Sequence, residues 1–201
     1  MADQIKELLL QALETELGGV QIYTAAISCA ENRDLRDEWK KYLDETKRHV
    51  EVVRGLIQDF GFDAEEQTPG RRIVKHIGES LVEAMQMAQA DGAADAAELV
   101  ACECVMLAET KDHTNWELLR AYAEDVARGV QRKALDSACD EIEDQEDEHL
   151  YHSKGWGREL WLQALGMDAV LPPPEEQKHV KTAIGAARAQ QSREEMLHHR
   201  R

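Results

Sequence analysis

Four stretches of this sequence carry apolar residues at helical spacing, and each is interrupted near its middle by glutamate or histidine. A side chain at such a position is buried when the helix packs against its neighbours. Burying a carboxylate costs several kcal/mol unless a cation or hydrogen bonds compensate. The pattern therefore favours helices that surround something positive, and a metal is the simplest choice. The interrupting residues are Glu16, Glu45 with His49, Glu109 with His113, and Glu146 with His149.

The same periodicity predicts an all-α chain with five long helices, at residues 3–30, 34–60, 71–90, 94–124 and 130–165. Short connections join the first pair and the last pair, which favours two antiparallel hairpins. The third helix has an apolar seam with no acid or histidine, so we expect it to be a structural part of the long crossover. That seam consists of Ile73, Ile77, Leu81, Ala84 and Ala88.

The composition favours one acidic domain followed by a basic tail. The net charge of −16 opposes a nucleic-acid-binding surface, and no uncharged apolar stretch is long enough to span a membrane. The N-terminus lacks the pattern of a secretory signal, so we expect a cytoplasmic protein. Residues 1–166 are predicted to form the bundle. Residues 167–201, which include three prolines at 172–174, are expected to be mobile or a short helix over 180–190.

The cysteines form no Cys-x-x-Cys pair, which opposes a zinc ribbon or a rubredoxin-type site. All of them fall at or beside core positions of the helical pattern, so we expect buried, reduced thiols. They are Cys29, Cys102, Cys104 and Cys139.

Carboxylates and imidazoles from facing helices of a bundle can enclose two metal ions, with a Glu-x-x-His pair on some of the helices. Glu146 and His149 have that spacing, and Glu16 is followed by Tyr23 on the first helix. In the order of these motifs the chain resembles the ferritin-like superfamily of di-iron carboxylate proteins. The sequence of residues 45–49, Glu-Thr-Lys-Arg-His, also resembles that of the small bacterial stress-associated group related to YciE and YciF.

The resemblance implies an antiparallel ferritin-like four-helix bundle whose long crossover contains an extra helix. It also implies two iron ions, with manganese as the second choice, and a homo-oligomer. The activity it implies is reaction with O2 or H2O2, as in a ferroxidase or peroxidase, or iron handling. The expected ligand sets are Glu16, Glu45 and His49 for one ion, and Glu109, Glu146 and His149 for the other.

Two residues depart from the family pattern. Glu45 lies four residues before His49, one more than in the family, although such a pair still shares a helix face. A π-bulge would bring Glu45 closer to a metal. His113 lies on the helix that usually supplies only a carboxylate, and it is either a third histidine ligand or a group that orients Glu109.

The sequence leaves two other functions open. The same site can belong to an oxygenase with an organic substrate, or the acids can be salt-bridged in a non-catalytic, stress-related bundle. Tyr23 is either a core residue or a hydrogen-bond partner of a ligand carboxylate. Glu14 lies off the seam, so we expect it to be solvated, and we expect Glu98 and Glu103 at the surface or between helices.

Overall fold

The computed structural model describes residues 2–199, with side chains over residues 3–197, and every regular element in this range is an α-helix. The all-α fold class is confirmed, and each of the five long helices ends within two residues of its predicted limits. No described helix is both long and apolar enough to cross a membrane. The helices are α1 (Ala2–Cys29), α2 (Arg33–Asp59), α3 (Pro69–Ala90), α4 (Ala94–Asp125), α5 (Gly129–Ala164), α6 (Pro174–Gln177), α7 (Ala183–Gln191) and α8 (Arg193–His199).

Local signals determine where the helices begin and end. The side chain of Asn32 accepts hydrogen bonds from the backbone N–H groups of Asp34 and Leu35, at 2.9 and 3.2 Å, and so caps the start of α2. Thr68 caps α3 in the same way. Gly61 follows the end of α2 with a φ of 74°, which strains any residue with a Cβ atom. With Asn32 as the cap of α2, only the three residues 30–32 separate α1 from α2.

Hydrogen bonds across the helices show that α1 and α4 are antiparallel. Trp116 of α4 bonds Glu16 of α1 at 3.0 Å. Seven residues earlier on α4, Glu109 accepts a bond from Tyr23, seven residues later on α1, at 2.8 Å. The contacts between α2 and α5 show that this pair is antiparallel as well. There, His49 contacts Gln145, and the pairing of residues 42 and 152 follows it in the opposite sense.

The crossover helix α3 lies against α1 and α4, and three residues of its predicted seam, Leu81, Ala84 and Ala88, pack against the apolar core of the bundle. Ile73 and Ile77 are 61% and 54% exposed, so that part of the prediction is wrong. The packed face also contains Arg71 and Met85, both buried. Gly78 lies on this face, where an added Cβ would be only 3.6 Å from the Cα of Gly18 on α1. Small residues thus bring α3 close to α1 and leave the two isoleucines outside.

The expectation that Glu14 is solvated is also wrong. Its carboxylate lies 2.7 Å from the guanidinium of Arg71, and both side chains are buried. The position off the seam is covered by α3, which packs on the side of α1 away from α2. Glu98 lies between helices, which is one of the two positions expected for it. It is buried, and its carboxylate accepts hydrogen bonds from the backbone N–H groups of Glu31 and Asn32, in the turn between α1 and α2.

Replacing Glu14 with alanine is expected to lower the free energy of unfolding by about 3–5 kcal/mol, because it leaves the Arg71 cation buried without its counter-ion. Urea unfolding measures the loss. The double change Glu14→Leu with Arg71→Met removes both charges and should recover most of the stability. Equal losses for the single and double variants would show that the ion pair is not what stabilises this contact.

The buried side chains of the long helices form two apolar clusters. One includes Leu9 of α1 and Leu119 of α4, and the other includes Ala26 of α1 and Val105 of α4. The buried acids and histidines of the sequence pattern lie at the depth between these two clusters. The polar residues therefore face each other in the middle of the bundle, where water has little access.

The segment beyond residue 166 packs on α5 through charged contacts. Arg158 donates two hydrogen bonds to Glu175, at 2.7 and 2.8 Å, and Arg193 bonds Glu159 at 2.8 Å. The sequence left open a mobile tail or a short helix over 180–190, and the structure has a helix at Ala183–Gln191. Residues 200 and 201 of this tail lie outside the described residues.

Candidate metal centre

Six side chains from α1, α2, α4 and α5, four of the five long helices, meet between the two apolar clusters. Each is at most 5% exposed. No described lysine or arginine forms an ion pair with any of the three glutamates among them. The six are Glu16 from α1, His49 from α2, Glu109 and Asp112 from α4, and Glu146 and His149 from α5.

Two groups of ligand atoms share one carboxylate. Glu16, His49 and Glu146 each offer an oxygen or nitrogen atom, and these atoms lie within 4.8 Å of one another. Glu109, Glu146 and His149 form a second such group by the same criterion. Glu146 belongs to both groups, so it lies where a carboxylate bridging two sites has to lie.

Both histidines point the Nδ1 atom into the cluster and are held by the other ring nitrogen. Nε2 of His49 lies 2.8 Å from the side-chain oxygen of Gln145, and Nε2 of His149 lies 2.9 Å from a carboxylate oxygen of Glu45. Because these partners accept hydrogen bonds, the ring proton of a neutral imidazole belongs on Nε2. Nδ1 then carries a lone pair that faces carboxylate oxygens. Metal-binding histidines are held in this way.

The cluster also contains most of the buried polar atoms that lack a hydrogen-bond partner among the described residues. The Nδ1 atom of His49 lies 3.0 Å from Glu146, but the contact does not have hydrogen-bond geometry. Buried polar groups are nearly always paired, so a group of unpaired atoms facing one point requires an explanation. These atoms are Glu16 Oε2, His49 Nδ1, Glu109 Oε2, Asp112 Oδ1, both carboxylate oxygens of Glu146, and His149 Nδ1.

The remaining carboxylate oxygens of two glutamates are oriented by aromatic donors. Trp116 donates from its indole N–H to Oε1 of Glu16 at 3.0 Å, and Tyr23 donates its hydroxyl to Oε1 of Glu109 at 2.8 Å. In each glutamate the other oxygen, Oε2, is the unpaired one. Tyr23 therefore bonds a carboxylate of the cluster, which is one of the two roles that the sequence allowed.

The electric field in the cluster favours extra positive charge. Burial raises the pKa of Glu146 to about 7, in spite of its contact with His49. Burial lowers the pKa of His49, but the charges of Glu16 and Glu146 outweigh this effect and hold it well above its ordinary value. The pKa of His149 is raised to about 9 for the same reason, with Glu109 as the main partner. His49, Glu146 and His149 therefore hold their protons more strongly than usual, because the surrounding carboxylates favour positive charge in the cluster.

Sequence reasoning missed Asp112. Its side chain is buried on α4, and burial together with the charges of Glu146, Glu16 and Glu109 raises its pKa well above the ordinary value. The signal was present, because Asp112 follows Glu109 at the same three-residue spacing that separates Glu146 from His149.

The structure does not bring Glu45 or His113 into either group of ligand atoms. Glu45 lies at the rim, where its carboxylate bonds His149, and α2 is a regular α-helix without a π-bulge. His113 points between α4 and α5 toward Asp147, with a 3.4 Å separation. It contacts neither Glu109 nor the histidines, so both roles that the sequence left open for it lack a contact among the described residues.

A second polar cluster adjoins the first. The ring of Tyr42 packs against His149, with 4.1 Å between ring centroids, and its hydroxyl lies 3.0 Å from Nδ1 of His152. Glu38 accepts hydrogen bonds from His152 at 2.8 Å and from Trp156 at 2.7 Å. Burial raises the pKa of Glu38, but hydrogen bonds from His152, Glu176 and Tyr42 outweigh this effect and hold the pKa at about 2. This cluster fixes the position of Tyr42 and so of the His149 ring.

Comparison of the chain with family models, curated proteins and solved structures found no match. The donors of the site are carboxylate oxygens and one imidazole nitrogen in each group, a set that suits iron or manganese and lacks the thiolates that zinc and copper sites often use. The four cysteines are free and buried elsewhere in the helices.

Proposed function

We propose that this chain is a di-metal carboxylate protein of ferritin-like type that binds two iron ions and reacts with O2 or H2O2. The observation that carries the proposal is the pair of histidines whose anchored rings direct Nδ1 lone pairs at carboxylate oxygens. The raised pKa values of both histidines show that the carboxylates favour a positive charge at these nitrogens, and a metal cation that displaces the protons is bound by nitrogen and oxygen atoms together.

The charge of the cluster supports two divalent ions. Glu16, Glu109, Asp112 and Glu146 carry four negative charges when ionised, which two divalent cations neutralise. Neutral histidines add a nitrogen without adding charge. The raised pKa of Asp112 is the response of a buried acid to neighbouring acids, and a nearby cation reverses it.

In this proposal Glu16 and His49 hold one ion, Glu109 and His149 hold the other, and Glu146 serves both. Bound iron supplies the capacity to give electrons to O2 or H2O2. The surrounding residues do the rest. Tyr23 and Trp116 orient the glutamates, Gln145 and Glu45 hold the imidazoles, and the two apolar clusters exclude bulk water.

A non-catalytic bundle held by salt bridges is the competing function. It needs lysine or arginine beside the buried acids, whereas the described partners of those acids are histidines, tyrosine and tryptophan. An oxygenase with an organic substrate needs a cavity open to the cluster. No specific contact of the described residues therefore favours either alternative. The proposed reaction is oxidation of bound iron by O2 or H2O2.

The test uses protein without an affinity tag, stripped of metal and reloaded with ferrous iron under anaerobic conditions. We expect two ions per chain by elemental analysis, and oxidation of the iron by O2 or H2O2 in the absence of any organic compound. Glu16→Ala should lose this activity, whereas the double variant Glu14→Leu with Arg71→Met, which removes a carboxylate from the same helix without leaving a buried charge unpaired, should keep it. Fewer than one ion per chain with both iron and manganese would overturn the proposal.

A further inference from the structure

A cavity of about 240 Å³ lies beneath α3, on the side of α1 and α4 that faces away from the metal cluster. Val74, Gly78 and Leu81 of α3 line one wall, and Ile22 and Ala108 line the opposite side. The walls are almost entirely apolar. The cavity follows from the way α3 packs, since its small residues bring the helix close to α1 at one level and leave space beside it.

The mouth of this cavity is apolar and exposed. Ile77 and Leu107 both line it, and they are 54% and 57% exposed. Large aliphatic side chains on two different helices are thus presented to solvent around one opening. Apolar surface next to an apolar cavity is typical of ligand-binding sites rather than of ordinary protein surface.

One lysine borders the cavity without a counter-ion among the described residues. Lys111 lines it and is half-buried, and its ammonium bonds the side-chain oxygen of Asn115, which is fully buried. Among the described residues Lys111 forms no ion pair. Glu14 also lines the cavity, but Arg71 neutralises its charge at 2.7 Å. The net charge that faces the cavity is therefore one positive charge.

We propose that this cavity binds a medium-chain carboxylate, with the apolar chain inside and the carboxylate paired with Lys111. At about 30 Å³ for each water-sized group, the volume accommodates about eight methylene-sized groups. An ammonium has three donors, and Asn115 uses one of them, so two remain for a carboxylate. A single cation suits a single negative charge. The site is separate from the metal cluster and does not depend on the proposed function.

The test is calorimetric titration of metal-free protein with octanoate and with 1-octanol, which has the same chain but no charge. We expect one octanoate per chain and an affinity for octanol that is about tenfold weaker, since a charged hydrogen bond is lost. Lys111→Met should weaken octanoate about tenfold and leave octanol unchanged. Lys75→Met, which removes the same charge from an exposed position of α3 outside the lining, should change neither.

Three results would overturn the proposal: no saturable octanoate binding, equal affinity for octanoate and octanol, or octanoate affinity that Lys111→Met leaves intact. A cavity-filling change, Ala108→Phe, should abolish binding of both compounds. If that variant does not fold, Ile77→Glu provides the second measurement, because a carboxylate at the mouth should weaken octanoate more than octanol. All of these titrations use metal-free protein, so their outcomes are distinguishable from failure of the metal site.

Discussion

Replacement of Glu146 with alanine is expected to abolish binding of both metal ions, whereas removal of any other ligand should affect one ion more than the other. Glu146 is the residue common to both groups of ligand atoms, and its two oxygens are buried without partners. Loss of a group that only supports a ligand weakens metal binding by about 10–100-fold, so loss of a shared ligand should cost about 100-fold or more at each ion. Elemental analysis after reloading, together with competition against a chelator of known affinity, measures both effects.

Glu143→Ala is the matched control for this change. Glu143 lies one turn earlier on α5, but its carboxylate is partly exposed and bonds Arg120 at 2.8 Å. Its loss should leave the metal content at the level of the unmodified protein. Retention of two tightly bound ions in Glu146→Ala would show that the shared carboxylate is not a ligand, and the arrangement proposed for the centre would then be wrong.

Loading with metal is expected to raise the melting temperature by about 10–20 °C. Each ion adds about 2.7 kcal/mol of stability when its free concentration is 100 times its dissociation constant. For a chain of this size, 1 kcal/mol corresponds to about 2–4 °C. The reason lies in the cluster, where Glu16, Glu109, Asp112 and Glu146 repel one another unless a cation compensates. Differential scanning calorimetry with and without ferrous iron or manganese measures the shift.

The Glu146→Gln variant separates this effect from general ion binding to an acidic surface. Without metal it should melt at a higher temperature than the unmodified protein, because an amide replaces one of the mutually repelling buried acids. With metal its melting temperature should rise little. Equal melting temperatures for the stripped and loaded forms of the unmodified protein would contradict a buried metal centre, whatever the surface binds.

The choice between Asp112 and His113 shows what helical periodicity leaves undecided. With 3.6 residues per turn, Asp112 lies about 60° to one side of Glu109 and His113 about 40° to the other. Both positions agree with the seam. The rotation of α4 about its own axis, as it packs on α1 and α5, places Asp112 in the cluster and turns His113 toward Asp147. Sequence spacing alone does not determine that rotation.

The same limit applies to the partners that hold the ligands. Glu45 was recognised as a residue of the site, but its contact with His149 depends on the register between α2 and α5. Gln145 was not recognised, because a glutamine beside an acidic run gives no signal. Arg71 and Glu14 come from helices that are far apart in sequence, so only the packing of α3 on α1 brings the two charges together.

The sequence by itself determined the five long helices, the pairing of the first two and the last two, and the depth at which acids and histidines interrupt the apolar seams. These features depend on local spacing, which every turn of a helix repeats. The tertiary structure decided which neighbour of each seam residue faces inward, which atoms hold the two imidazoles, and where α3 leaves a cavity. Those outcomes depend on rotations of one helix against another by less than one residue, and such rotations are set by the fit of side chains from different helices.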